Sequence, residues 1–229
     1  MARLTVTSTM PAPYASRRRL LLAVLGATAF CHAHANELRF DQAFDTGGSP
    51  ATVHYRASYS AGGAPHRVEV WREDDVRVRR RTDDRIEVHA FREAGSAEFR
   101  MSILDLDKRI HTTVSRSNLY RIGSFTDWFD LAHGLRHPAG GYVLTRIAAP
   151  VGSVSAVRPC VWFELAQNGQ ISRVCWSALA QVPMLILSGE GEMVWRIDAL
   201  EREALGPDAF ALRDEGYLRI DADQDIEPD

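Results

Sequence analysis

Between Thr52 and Phe91 apolar and polar side chains alternate almost one for one. Val68 and Val70 oppose Glu69 and Trp71, and Val76 and Val78 oppose Arg77, Arg79 and Arg81. A period of two marks strands with one buried and one wet face. The breaks at Gly62-Gly63, Asp74-Asp75 and Thr82–Asp84 are turn chemistry, so the pattern predicts strands over 52–60, 67–73, 76–81 and 85–91. A three-residue loop at Thr82–Asp84 sets Val78 against Val88 and Arg79 against Glu87, each pair contributing about 0.2–1 kcal/mol. Further strands are expected over 98–104, 109–114, 117–122, 142–147, 161–166, 171–177, 183–188 and 193–199, with loop at 151–158 and a loop-like tail from Leu205.

One segment has helical spacing. Between Ser124, a candidate N-cap, and Pro138, the residues Phe125, Trp128, Phe129, Leu131, Ala132 and Leu135 form a broad apolar side. Many strands joined by short turns, with one main helix, describe a mainly β (α+β) chain. The expected architecture is a curved antiparallel sheet, or half-open β-barrel, with one or two helices packed in its concave face. No repeat or linker divides 36–229, which reads as a single domain with an acidic C-terminal tail.

The N-terminus adds a compartment. Arg17-Arg18-Arg19, the apolar run Leu20–Phe30 and Ala33-His34-Ala35 have the order of a secretory signal peptide over 1–35, too short for a permanent membrane span. The Sec route is preferred over the twin-arginine route that Ser16–Leu21 also suggests, and Phe30 stands where a lipoprotein signal before Cys31 needs a small residue. Formal charge is −3 for the chain and −7 beyond Ala35, because the first 35 residues hold four arginines and no acid. A body this acidic argues against nucleic-acid binding.

Removing Cys31 leaves Cys160 and Cys175, an even pair in an oxidising compartment, which predicts a disulfide. Asn168-Gly169 between them is a hairpin signal. A two-residue turn would leave the cysteines diagonal, roughly 7–8 Å apart at Cα. A four-residue loop, Ala166–Gly169, sets them face to face, pairs Val161 with Val174, and brings Arg173 over Trp162. The spacing therefore predicts the longer loop, or a bulge, with the cysteines bonded.

The segment VCWSALAQVPMLILSGEGEMVWRIDAL, with Trp176 and Trp195 bracketing a turn at Val182-Pro183, resembles the late hairpins of LolA/LolB-like periplasmic proteins. Ile103–Asp107, Asn118–Arg121 and the closing Phe210–Tyr217 are similar to that pattern as well, although Arg213-Asp214 replaces its proline. The resemblance implies an unclosed antiparallel barrel around an apolar interior, and hence an exported periplasmic carrier for a lipid or lipoprotein acyl chain. The lining it points to is Trp71, Phe91, Phe99, Met101, Ile103, Tyr120, Trp128, Phe129, Leu131, Met184 and Leu185, against the alternative that each is ordinary core. A second expectation is an accessory or regulatory protein with a filled core, like the amino-terminal domain of sigma-E regulatory proteins. Such a protein docks a periplasmic or membrane partner through Arg77, Arg79 and Arg81, which otherwise form a solvated strand face.

Catalytic motifs are absent: there is no GxSxG, HExxH, P-loop or GxGxxG, and neither enzyme activity nor a cofactor is expected. His133 and His137 have the spacing of a metal pair, but lack a third ligand nearby and read as surface histidines favoured by a helix C-terminus. Asp221-Ala-Asp223-Gln-Asp225 imitates a calcium loop without its glycine. Asp105 and Asp107 share a strand parity and read as strand-end aspartates.

Overall fold

The computed structural model describes residues 38–48, 52–121, 127–153 and 159–225, except the side chains of Tyr120, Arg121 and Asp225. All lie within the compact unit Ala35–Asp229. The signal peptide over 1–35, the Ser124 cap and most of the 151–158 loop lie outside the described residues.

Among the described residues twelve strands form one open sheet: β1 (Thr52–Ala61), β2 (Ala64–Glu73), β3 (Arg77–Thr82), β4 (Ile86–Phe91), β5 (Arg100–Asp105), β6 (Ile110–Ser115), β7 (Val143–Ile147), β8 (Val161–Gln167), β9 (Gln170–Ser177), β10 (Val182–Ser188), β11 (Met193–Glu201) and β12 (Leu218–Asp221). Their order is β12-β6-β5-β4-β3-β2-β1-β11-β10-β9-β8-β7, antiparallel except for β12 on β6. The fold is therefore the expected mainly β class, a curved open sheet with few short helices. Since β6 and β7 lie near opposite edges, the chain between them has to cross the sheet. It carries α2 (Arg116–Arg121) and α3 (Trp128–His133) on the way.

Parity sorts the side chains. One face presents Val53, Tyr55 and Ala57 from β1, Val68, Val70 and Arg72 from β2, Val78 from β3, Ala90 from β4, Met101 from β5 and Val114 from β6, all buried. Trp128, Leu131 and Ala132 of α3 join that cluster. A neighbouring cluster on β7–β9 holds Leu144, Phe163, Val174 and Trp176 under Phe40 of α1 (Phe40–Ala43) and its C-cap residue Phe44. At six residues α3 is too short to persist alone, so caps and packing sustain it. The Asp127 carboxylate accepts from Asp130 N at 2.6 Å, and Gly134, at φ 69°, closes the C-terminus with Gly134 N on Asp130 O. A side chain at Gly134 would be strained by that φ and would meet the Tyr55 hydroxyl at 3.4 Å. The helix thus ends at His133, five residues before Pro138.

Three local expectations are corrected. The 117–122 segment is helix α2 over Arg116–Arg121, not strand. The β3–β4 loop is Asp83–Arg85, with Thr82 opposite Ile86 and Arg81 opposite Glu87. Asp83 adopts a left-handed conformation (φ 51°) and its carboxylate accepts from Arg67 N and His66, fixing the turn against β2. The cysteine hairpin has the short turn. Gln167 pairs with Gln170, Asn168 and Gly169 adopt φ 51° and 75°, and Trp162 faces Cys175. The Cys160–Cys175 disulfide forms all the same, at a Cα–Cα distance of 5.4 Å. Cys160 precedes the first residue of β8, so the ladder does not fix its position. Arg173 bonds Glu164 instead of lying on Trp162.

The tail is ordered structure. Running from a 3-10 turn at Pro207–Phe210 to β12 and α4 (Ala222–Asp225), it forms a strap over the opposite, outer face of β3–β6. Arg79 donates to Ala209 O, Arg77 lies over the Phe210 ring, and His111 bonds Asp214 at 2.7 Å. Asp223 accepts from Ser115 N, Ser115 Oγ and Asn118 Nδ2.

Candidate functional site

The expected lining divides between the two faces. Met101 and Ile103 point to the helix-covered face, where Phe99 packs on Trp128 at 5.8 Å and Leu131 joins the same cluster. Met184 is almost fully buried, and Phe129 stacks on Trp176 at 6.2 Å. Trp71, Phe91 and Leu185 face the other way. Trp71 lies between the His54 ring and the Arg79 guanidinium, Phe91 is 55% exposed, and Leu185 shares its side with Cys175. Tyr120 lies outside the described side chains.

Trp128 shows how the layer is tied at its end. Its indole Nε1 donates to Asp75 Oδ1 at 2.7 Å, and the Arg92 guanidinium lies 4.4 Å above the ring. The polar centre of the layer is Arg72, which has the parity of Val68 and Val70 and is 1% exposed. Its guanidinium donates to Ala132 O at 3.0 Å, Ala180 O at 2.9 Å and Gln181 O at 3.3 Å. It thereby joins the sheet, the end of α3 and the β9–β10 turn. Burial pulls its pKa down, opposed by Tyr55 and Asp75, and no carboxylate touches it among the described residues. His133 Nδ1 stands 2.6 Å from Arg72 Nη1. Burial, then the Arg72 charge, push the His133 pKa down to about 3. The ring is thus neutral, and its Nδ1, 2.8 Å from Gln181 O as well, accepts from Arg72 in one tautomer and donates to that carbonyl in the other. His133 is a buried partner of a guanidinium, not the expected surface histidine, while His137 bonds Asp127 and Asp41. Among the described residues no group of three or more His, Cys, Asp or Glu is placed to hold a metal.

On the outer face the arginine stripe is engaged within the chain. Glu87, 4% exposed, accepts from Arg79 at 2.8 Å, Arg81 at 2.9 Å and His89 at 2.7 Å, while Arg77 bonds Glu73. Burial works to raise the Glu87 pKa, but the bonds from His89, Arg79 and Arg81 prevail and bring it to about 2. Hydrogen bonding by His111, against burial and with help from Arg219, likewise lowers Asp214.

Sequence reasoning missed Arg72 and the His111–Asp214 pair, and of the Glu87 partners it expected Arg79 but not Arg81 or His89. For Arg72 the signal was present: it continues the Val68–Val70 parity inward. For Asp214 no local pattern exists, because its partner lies 103 residues away.

Comparison with known proteins gives only weak structural similarity. No family profile matches the chain, and no curated protein matches it. Among solved structures it is similar to "Crystal structure of MucB", with TM-score 0.41 and 16% identity over 77% of this chain and 62% of that one. It is also similar to "Structure of PNGF-II in C2 space group", with TM-score 0.38 and 9% identity over 74% of this chain and 30% of that one. The chain thus spans less than two thirds of either protein's length. No helix among the described residues is long and apolar enough to cross a membrane.

Proposed function

We propose that this chain is an exported periplasmic binding protein, not an enzyme, that takes the apolar chain of a lipid or lipoprotein into the layer between sheet and α3. The observation that carries this reading is the Arg72 clamp. A cover held by a desolvated guanidinium on carbonyl oxygens gains little net stability, since apolar residues of similar volume would often serve as well or better. Closure by such a clamp is finely balanced and reversible. Beneath it lie methionine and aromatic side chains, which repack around varied shapes at low cost. The disulfide accords with export to an oxidising compartment.

Native mass spectrometry of protein purified from its own periplasm, with titration of an apolar fluorescent probe, tests the reading. A co-purifying lipid or saturable probe binding is expected, with affinity changed at least threefold by Arg72→Met. Protein that is both lipid-free and silent to the probe refutes it. A second reading, partner docking with a filled core, is favoured by the near-complete burial of Met101, Leu131 and Met184. Capture of a partner dependent on Arg77, Arg79 and Arg81, from lipid-free protein, would select it.

A further inference from the structure

The outer face holds an amphipathic trough that the reading above does not use. The strap covers β3–β6, and the chain around Pro150–Ser153 borders β10 and β11. Between them no other described residues cover the outer side of β11, β1 and β2. One open groove of about 760 Å³ carries Arg56, Arg67, Arg81 and Arg196 among its lining. A second, of about 500 Å³, is lined by Pro150, Val151, Leu185, Leu187 and Met193 with Arg173 and Arg196 at its rim. Arg196 belongs to both, so they meet.

The register explains the gradient. Leu185 pairs with Arg196, Arg196 with Ser58, and Ser58 with Arg67, so one row runs from an apolar to a cationic side chain across four strands. At the usual strand spacing that row is about 14 Å long.

Three of the four carboxylates in that lining, Glu69, Asp83 and Asp198, are already engaged. Glu69 bonds His54 at 2.9 Å, Asp83 bonds His66 at 2.6 Å, and Asp198 accepts from Ser58 and Arg196. Asp84 stands exposed in the β3–β4 turn. Arg56 and Arg67 are exposed and have no side-chain partner among the described residues. At the other end Met193 is 40% exposed and Val151 fully so, over a floor formed by the buried Leu185 and Leu187. Two unmatched guanidinium groups at one end of an apolar channel form a complementary surface for one ligand class.

We propose that this trough binds a single-chain anionic amphiphile. Its carboxylate or sulfate head lies on Arg56, Arg67 and Arg196, and an alkyl chain of about ten to twelve carbons lies along Leu185, Leu187 and Met193. The site is separate from the covered layer, so either can fail without the other.

Calorimetric titration of the full mature protein with dodecanoate, dodecyltrimethylammonium and acetate tests it. Dodecanoate binds, the cation binds at least tenfold more weakly, and acetate gives no heat. Arg56→Gln/Arg67→Gln and, separately, Met193→Glu each weaken dodecanoate at least tenfold. These positions are exposed, and an unchanged melting curve confirms the variants are folded. A dodecanoate carrying a terminal diazirine labels Leu187 or Met193. Equal binding of anion and cation, or insensitivity to both variants, overturns the proposal. Labelling of Met101 or Leu131 also overturns it and moves the ligand to the covered layer.

Discussion

Glu87→Gln removes the one acceptor shared by Arg79, Arg81 and His89 on the outer face. The fall of the Glu87 pKa from its ordinary 4.5 to about 2 corresponds to about 3 kcal/mol at about 1.4 kcal/mol per pH unit. Solvent reaches part of this network, since Arg81 is 32% exposed, so screening reduces the figure to about 1–3 kcal/mol. The sign follows from the direction. A carboxylate with a depressed folded pKa contributes stability that is complete above about 4.5 and is lost as pH falls through about 2. Guanidinium denaturation of wild type and variant, disulfide intact, is therefore expected to separate them by about 1–3 kcal/mol at pH 7. The gap should narrow steadily from pH 4.5 to pH 2.5. The difference between the two proteins isolates Glu87 from other titrating groups. A gap below about 0.5 kcal/mol at pH 7, or one that does not change on acidification, would refute the reasoning.

Two further outcomes are expected. Non-reduced mature protein contains no free thiol, and Cys160→Ser/Cys175→Ser lowers stability by about 3 kcal/mol in the chain-entropy model for a loop of this size; a thiol assay and equilibrium denaturation check both. The His133 imidazole stays neutral down to about pH 3, so its NMR shifts are flat from pH 8 to 4. Because the unfolded chain takes up that proton near 6.5, His133 lowers stability as pH falls from 6.5 towards 3, and His133→Phe flattens that slope; an imidazole titrating near 6 would contradict the burial argument.

The strands were legible because alternation is a local signal, and β1–β6 and β8–β11 appear where period two placed them. The lining was less so. Alternation had already set Trp71 with Glu69, away from Val68 and Val70, whereas the resemblance counted it in the lining; parity was the better guide to its face. At the cysteine hairpin the requirement for opposed cysteines displaced the Asn-Gly turn. The turn chemistry was right, and the disulfide was reached by a residue lying off the ladder. The strap was illegible for a different reason. Leu218 and Arg219 are exposed on a four-residue parallel strand and show no apolar period, so only β6, more than 100 residues earlier, defines them. Arg116–Arg121 sets Leu119 and Tyr120 side by side with no period of two, and follows β6 directly as helix α2.

The place of β1 in the strand order bears on how the chain reaches this fold. Strands β1–β6 form an ordinary meander that can assemble from neighbouring segments, as can β7–β11. The ladder joining them pairs Ser58 with Arg196 at the middle of the sheet, so the central seam cannot close until nearly the whole chain is present. Non-local closure of this kind slows folding. Until it happens, one flank of β1 is a bare edge able to pair with another chain. The seam is therefore where assembly finishes last, and a chain interrupted before Met193 is left with its most reactive edge at its centre.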